Sequence, residues 1–309
     1  MGPGVRRDDT HHDDKNHIGN LMTPSRLATF SIDGSTKYGA VTDAGIVDLS
    51  ARFAKDYPTL REVIAAGALT KLAEDAAKRS PDYALDKIIW QPPIPAPEKI
   101  ICIGVNYPDR NAEYKDGQDA PKYPSMFMRT PRSFVGHGQP LVRPKASAQL
   151  DYEGEVVLVI GKAGRHIAES TALDHIAAVT LCNEGTIRDW VRHAKFNVTQ
   201  GKNFDACGAI GPWIETDFDL GKPLHLIVRK NGEVTQDDTT ASMIFNFADL
   251  IAYTTTFMTL KAGDVICTGT PTKNTPKVDP PVWLKPGDTI EVEADHIGVL
   301  RNGVIDEAA

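Results

Sequence analysis

The chain has 309 residues, 41% hydrophobic and 24% charged, with a formal net charge of −7. This is an ordinary globular composition, long enough for one large or two modest domains with a sizeable core. The acidic balance argues against nucleic acid as a partner, and no apolar run is long enough to span a bilayer, so a cytoplasmic protein with no membrane contact is expected.

Residues 1–21 are polar and rich in His and Asp, among them Asp8, His11, His12 and His17. Their flanks offer nothing to pack, so a disordered extension is expected in preference to a metal site. Residues 22–92 read as a small N-terminal α/β domain. Short antiparallel strands flank Asp33-Gly34 and Asp43-Ala44-Gly45, and two helices follow, the first with Thr59 as N-cap and Gly67 as C-cap. The proline-rich run Pro92–Pro97 marks the expected domain boundary. In residues 93–309 strand patterns dominate and no G-x-G-x-x-G occurs, which excludes a doubly wound sheet and implies an α+β class. The segment from Pro108 to about Pro144, rich in Gly, Pro, Lys and Arg, reads as a loop covering an active site. The segment Ser242–Leu260 has helical spacing. Cys102, Cys182, Cys207 and Cys267 form no C-x-x-C pair and are expected to be reduced and buried.

The stretch Asp151-Tyr152-Glu153-Gly154-Glu155 runs into the apolar strand Val156–Ile160. Alternation along a strand puts Glu153 and Glu155 on one face, where two carboxylates at the mouth of a buried strand call for a cation. Glu184 ends the apolar strand "AAVTLC" in the same way and supplies a third carboxylate. An all-carboxylate set selects a hard ion, Mg²⁺ or else Mn²⁺ or Ca²⁺. Lys202 is a candidate for neutralising a developing oxyanion. Glu113 in the covering loop and His137 between glycines are candidate acid/base groups. Arg129 and Arg132 are candidates for gripping a substrate carboxylate, and Thr270 for presenting a hydroxyl to it. Arg188 and Asp189 are expected to pair with each other and hold the turn after Glu184.

The segments "KIICIGVNY", "LDYEGEVVLVIGK", "NEGTIRDW", "GKNFDACGAIGPWI", "GDVICTGTP" and "LKPGDTIEVEADHIGVLRN" together resemble the fumarylacetoacetate hydrolase family, over roughly Lys99 to Asn302. The resemblance implies a mixed β-roll catalytic domain, a homodimer, a divalent metal and a 2-oxo or β-diketo acid substrate. It implies Glu153 and Glu155 as metal ligands, Lys202 as the group stabilising an enolate, and Thr270 as part of the substrate loop. Two positions depart from the family pattern. Glu184 stands where an Asp is usual. Arg110 stands where hydrolytic members carry a His that pairs with the residue matching Glu113 to activate water, and arginine cannot act as a base. Arg110 thus becomes a candidate substrate-binding residue.

The first reading is metal-dependent C–C bond hydrolysis of an acylpyruvate-like substrate in aromatic-compound catabolism. The alternative is an isomerase, tautomerase or decarboxylase of an enol/2-oxo dicarboxylate, which needs no activated water. A non-catalytic ligand-binding relative is the third.

Overall fold

A computed structural model describes residues 23–108, 121–191, 193–194, 198–273 and 281–308. The extension expected at residues 1–21, Arg110 and Glu113 lie outside the described residues. Strands β1 (Arg26–Ile32), β2 (Ser35–Thr42) and β3 (Gly45–Asp48) form an antiparallel meander. Asp33 and Gly34 turn between the first two at φ 51° and 76°, the positive values that a two-residue hairpin loop with matching twist requires. Three short helices follow, Ser50–Phe53, Leu60–Ala65 and Leu69–Ala76. Thr59 caps the second by accepting the Arg61 N–H, and Gly67 closes it at positive φ.

The rest of the chain contributes β4 (Ile89–Trp90), β5 (Ile100–Ile103), β6 (Met126–Met128), β7 (Phe134–Val135), β8 (Leu141–Arg143) and β9 (Leu150–Asp151). Then come β10 (Gly154–Ile160), β11 (Ile176–Asn183), β12 (Thr186–Ile187), β13 (Gly208–Glu215), β14 (His225–Lys230) and β15 (Glu233–Thr239). The last are β16 (Val265–Cys267), β17 (Thr289–Ala294) and β18 (Gly298–Asp306). An 11-stranded sheet has the main path β3-β2-β1-β13-β11-β10-β16-β5-β6, and a 5-stranded sheet has the order β15-β14-β17-β18-β8. Pairing is mixed: β16 runs parallel to β5 and β18 to β8, while most other pairs are antiparallel. The strand-dominated α+β class read from the sequence is the one observed.

The boundary expected at residue 92 is not a break in the sheet. β1 pairs with β13 through Arg26↔Glu215 and Leu27↔Ile214. The N-terminal meander therefore covers what would otherwise be an open edge of the larger sheet. One hydrophobic cluster also joins Leu27, Leu60 and Leu72 to Val157, Ile214 and Cys267. The four cysteines are free and buried, as expected. The helix near residue 250 spans Phe247–Phe257, with a capping box between Asn246 and Asp249. Ile244 and Phe245 do not join it, because their N–H groups bond the backbone and side-chain oxygens of Asn106.

β10 is buried along its whole length. Val156, Leu158 and Ile160 join the cluster shared with Leu226, Val228 and Val292 of the smaller sheet, while Val157 and Val159 join the cluster on the opposite face. A strand covered on both sides carries an unbroken apolar run, which accounts for "VVLVI". At Gly154 the smaller sheet packs directly on the strand: a Cβ placed there would lie 2.2 Å from Val228 Cγ2. Substituting Gly154 with Ala is expected to destabilise the fold by about 1–3 kcal/mol through overpacking. Combining it with Val228→Ala should give less loss than the sum of the single changes. Thermal melts of the three variants check both expectations.

Candidate active site

Glu153 sits just before β10, Glu155 within it, and Glu184 just past the end of β11. The register Gly154↔Asn183 brings these two strand ends side by side, and the Glu184 N–H donates to the Glu153 carbonyl at 2.7 Å. One carboxylate oxygen from each residue lies within 4.8 Å of the others, and all three side chains are buried. Like charges this close, out of water, need compensation.

Most of it comes from a chain of alternating charges. Lys202 Nζ donates to Glu153 Oε2 at 2.7 Å, to Glu184 Oε2 at 2.6 Å and to the Thr186 hydroxyl at 2.8 Å. Burial alone would lower its pKa, but Glu153 and Glu184 raise it above the ordinary lysine value. With three acceptors on its ammonium, Lys202 is a fixed cation and not a base. Arg188 donates from Nε to Asp151 Oδ2 at 2.9 Å and from Nη2 to Glu153 Oε1 at 2.6 Å. Lys273 pairs with the other oxygen of Asp151. Burial pushes the Asp151 carboxyl up, but Lys273 and Arg188 outweigh it and pull the pKa down to about 2. Arg129, fully buried, bonds Glu184, the Gly185 and Ser133 carbonyls and Cys207 Sγ.

Among the described residues Glu155 has no cation in contact, and its hydrogen bond comes from the Gly269 N–H, at 2.9 Å to Oε2. Burial, and then the neighbouring Glu184 and Glu153 charges, push its pKa well above the usual carboxylate range. A three-carboxylate set of which one member has no cation in contact among the described residues fits a hard divalent ion.

Several sequence expectations change in the structure. Arg129 is not open to a substrate, since its guanidinium is enclosed around Glu184. Arg132 lies within the 3₁₀ turn Pro131–Ser133, where it is exposed and pairs with Asp205 on the surface. Arg132 therefore does not meet the carboxylate cluster. His137 lies elsewhere too. Its ring packs edge-on against Trp90, its Nδ1 accepts the Arg301 N–H at 3.2 Å, and burial holds its pKa below the ordinary histidine value. Arg188 and Asp189 do not pair with each other; Asp189 accepts the Ser147 hydroxyl instead. Thr270 is buried one residue after Gly269, beside the cluster.

Sequence reasoning missed Asp151, Lys273 and Asn106. Asp151 had a signal, because the period-two pattern that pairs Glu153 with Glu155 also includes it. Asn106, fully buried, donates to the Thr268 carbonyl at 2.8 Å and fixes the loop that carries Gly269 and Thr270.

The profile described as "Fumarylacetoacetate (FAA) hydrolase C-terminal" matches residues 99–305. The chain belongs to the fumarylacetoacetate hydrolase family. It is 38% identical over 245 residues to "Oxaloacetate tautomerase YisK" of Bacillus subtilis (strain 168), covering 76% of this chain and 80% of that one. It is 36% identical over 232 residues to the human "Oxaloacetate tautomerase FAHD2A, mitochondrial", covering 74% and 73%. Among solved structures, it matches a fumarylacetoacetate hydrolase from Exiguobacterium antarcticum with TM-score 0.77 and 31% identity, over 91% of this chain and 99% of that one. A probable 2-hydroxyhepta-2,4-diene-1,7-dioate isomerase from Mycobacterium abscessus matches with TM-score 0.75 and 31% identity, over 92% and 100%. The chain is thus an enzyme of this family, with its fold. No helix among the described residues is long and apolar enough to cross a membrane.

Replacing Arg129 with Met is expected to cost about 3–5 kcal/mol of stability, because Glu184 then loses a buried partner. Arg132→Ala should leave stability within about 0.5 kcal/mol of the parent protein. Denaturant titration separates the two.

Proposed function

We propose that this protein catalyses enol–keto tautomerisation of a 2-oxo dicarboxylate of the oxaloacetate type, with a divalent ion held by Glu153, Glu155 and Glu184. The observation that carries the reading is the buried carboxylate triad, in which Glu155 touches no cation among the described residues. When bound there, a hard ion supplies a Lewis acid that polarises the 2-oxo oxygen and favours its enolate. Lys202, charged and immobile, adds a second positive centre for that oxyanion without acting as a base. The reaction breaks no bond between heavy atoms. A proton leaves C3 while one is gained at the enol oxygen, or the reverse, so one acid/base group suffices. Glu113 is that group in this proposal, and Arg110 is the cation that receives the substrate's far carboxylate.

Hydrolysis, the first reading of the sequence, gives way to tautomerisation for two reasons. Water activation in hydrolytic members needs a base where this chain has Arg110. The relatives with highest identity described above are named oxaloacetate tautomerases. The reading of a non-catalytic binding protein falls with membership of an enzyme family.

With Mg²⁺ or Mn²⁺ present, the protein is expected to accelerate enol–keto exchange of oxaloacetate and to leave an acylpyruvate panel uncleaved; acylpyruvate cleavage without exchange would refute the proposal. Glu155→Gln should abolish Mg²⁺ binding in calorimetry. It should also raise the melting temperature of the metal-free protein, because an ionisable carboxyl buried beside two like charges is replaced by a neutral amide. Glu113→Gln should spare Mg²⁺ affinity and slow exchange by about 10²-fold or more.

A further inference from the structure

Gln236 lies on β15 in the smaller sheet, yet its fully buried carboxamide reaches the site strand and the substrate loop at once. Its Oε1 accepts the N–H of Gly154, the residue between Glu153 and Glu155, at 3.2 Å. Its Nε2 donates to the Thr270 hydroxyl oxygen at 3.0 Å and also to the Pro271 carbonyl. These contacts leave one orientation of the amide. Reversing it would set the amide nitrogen against the Gly154 N–H and its oxygen against the Pro271 carbonyl. Thr270 must therefore accept from Gln236, and its own hydrogen remains to be donated. Thr270 is only 4% exposed, and among the described residues its hydroxyl donates to no acceptor. The loop around it is fixed: the Asn106 amide holds the Thr268 carbonyl, the Thr268 hydroxyl donates to Val156 O at 2.8 Å, and the Gly269 N–H holds Glu155.

We propose that Gln236 is a positioning residue that sets the polarity of Thr270, so that this hydroxyl meets a bound 2-oxo acid as a hydrogen-bond donor. Such a site accepts a carboxylate or oxo oxygen at that position and rejects a ligand that offers N–H or O–H there, since two donors would then face each other out of water. The inference rests on the 2-oxo dicarboxylate reading above, and the test keeps the two apart.

Oxalate, with Mg²⁺ present, is the probe, and binding is followed by calorimetry. Gln236→Glu introduces a carboxylate that accepts the Thr270 hydrogen. Oxalate affinity is expected to fall about tenfold to a hundredfold, the worth of a hydrogen bond to a charged group. Mg²⁺ affinity without oxalate should stay within about threefold, since the Gly154 N–H keeps its acceptor. Thr270→Val should lose as much as Gln236→Glu, and the double variant no more than either, because both remove one interaction. A merely structural role for Gln236 would make the losses add and would lower Mg²⁺ affinity with them. Oxalate affinity in Gln236→Glu equal to that of the parent protein, or additive losses, would overturn the inference. Should that variant fail to fold, Gln236→Met carries the test: freeing the Thr270 rotor should cost about threefold to tenfold in oxalate affinity, and no loss would overturn the inference. If Gln236→Glu weakens oxalate as expected but the parent protein does not accelerate oxaloacetate exchange, the tautomerase reading fails and the role of Gln236 stands. A parent protein that binds no oxalate overturns both.

Discussion

The structure turns on one buried carboxyl that the surrounding ion pairs leave out. Asp151, Glu153 and Glu184 are buried and each is bonded to a cation: Lys273 and Arg188 for the first, Arg188 and Lys202 for the second, Lys202 and Arg129 for the third. Glu155 sits among them bonded, among the described residues, to a backbone N–H alone. Burying a carboxylate without a partner is costly enough that folds rarely retain one without a use for it. Here the ion-pair chain holds every neighbour in place while leaving the one carboxylate that a divalent ion would satisfy.

The scaffold explains why this arrangement can be rigid. β10 is buried on both faces, so the backbone carrying Glu155 has little freedom to move away from the other two carboxylates. Gly154, between Glu153 and Glu155, leaves room for Val228 of the smaller sheet to pack against the strand. The Asn106 and Gln236 carboxamides then fasten the loop Thr268–Pro271, one at Thr268 and the other at Thr270 and Pro271.

Much of the site was legible in the sequence because it follows simple periodicity. Glu153 and Glu155 share a strand face, and Glu184 ends the neighbouring strand. The arginines were not legible. Arg129 and Arg132 look alike in a polar, proline-containing segment, and only the turn at Pro131–Ser133 decides that one is enclosed and the other exposed. The proline-rich run after residue 92 resembles a linker, yet the sheet continues past it because β1 finds its partner about 190 residues away, in the pair Arg26↔Glu215. Gln236 carried no local signal at all. Its partners belong to other strands, and a buried glutamine in a strand reads as an ordinary polar position.

The central pairing also has a kinetic consequence. β10 and β16 are neighbours through Val157↔Cys267, although more than a hundred residues separate them in the chain. The carboxylates, their cations and the loop at Gly269 come from segments spread from Arg129 to Lys273. Loop closure on that scale comes late in folding. A metal loop whose ligands lie within a dozen residues can form before the rest of its domain. This centre cannot, so its carboxylates are brought together only once the distant segments have paired.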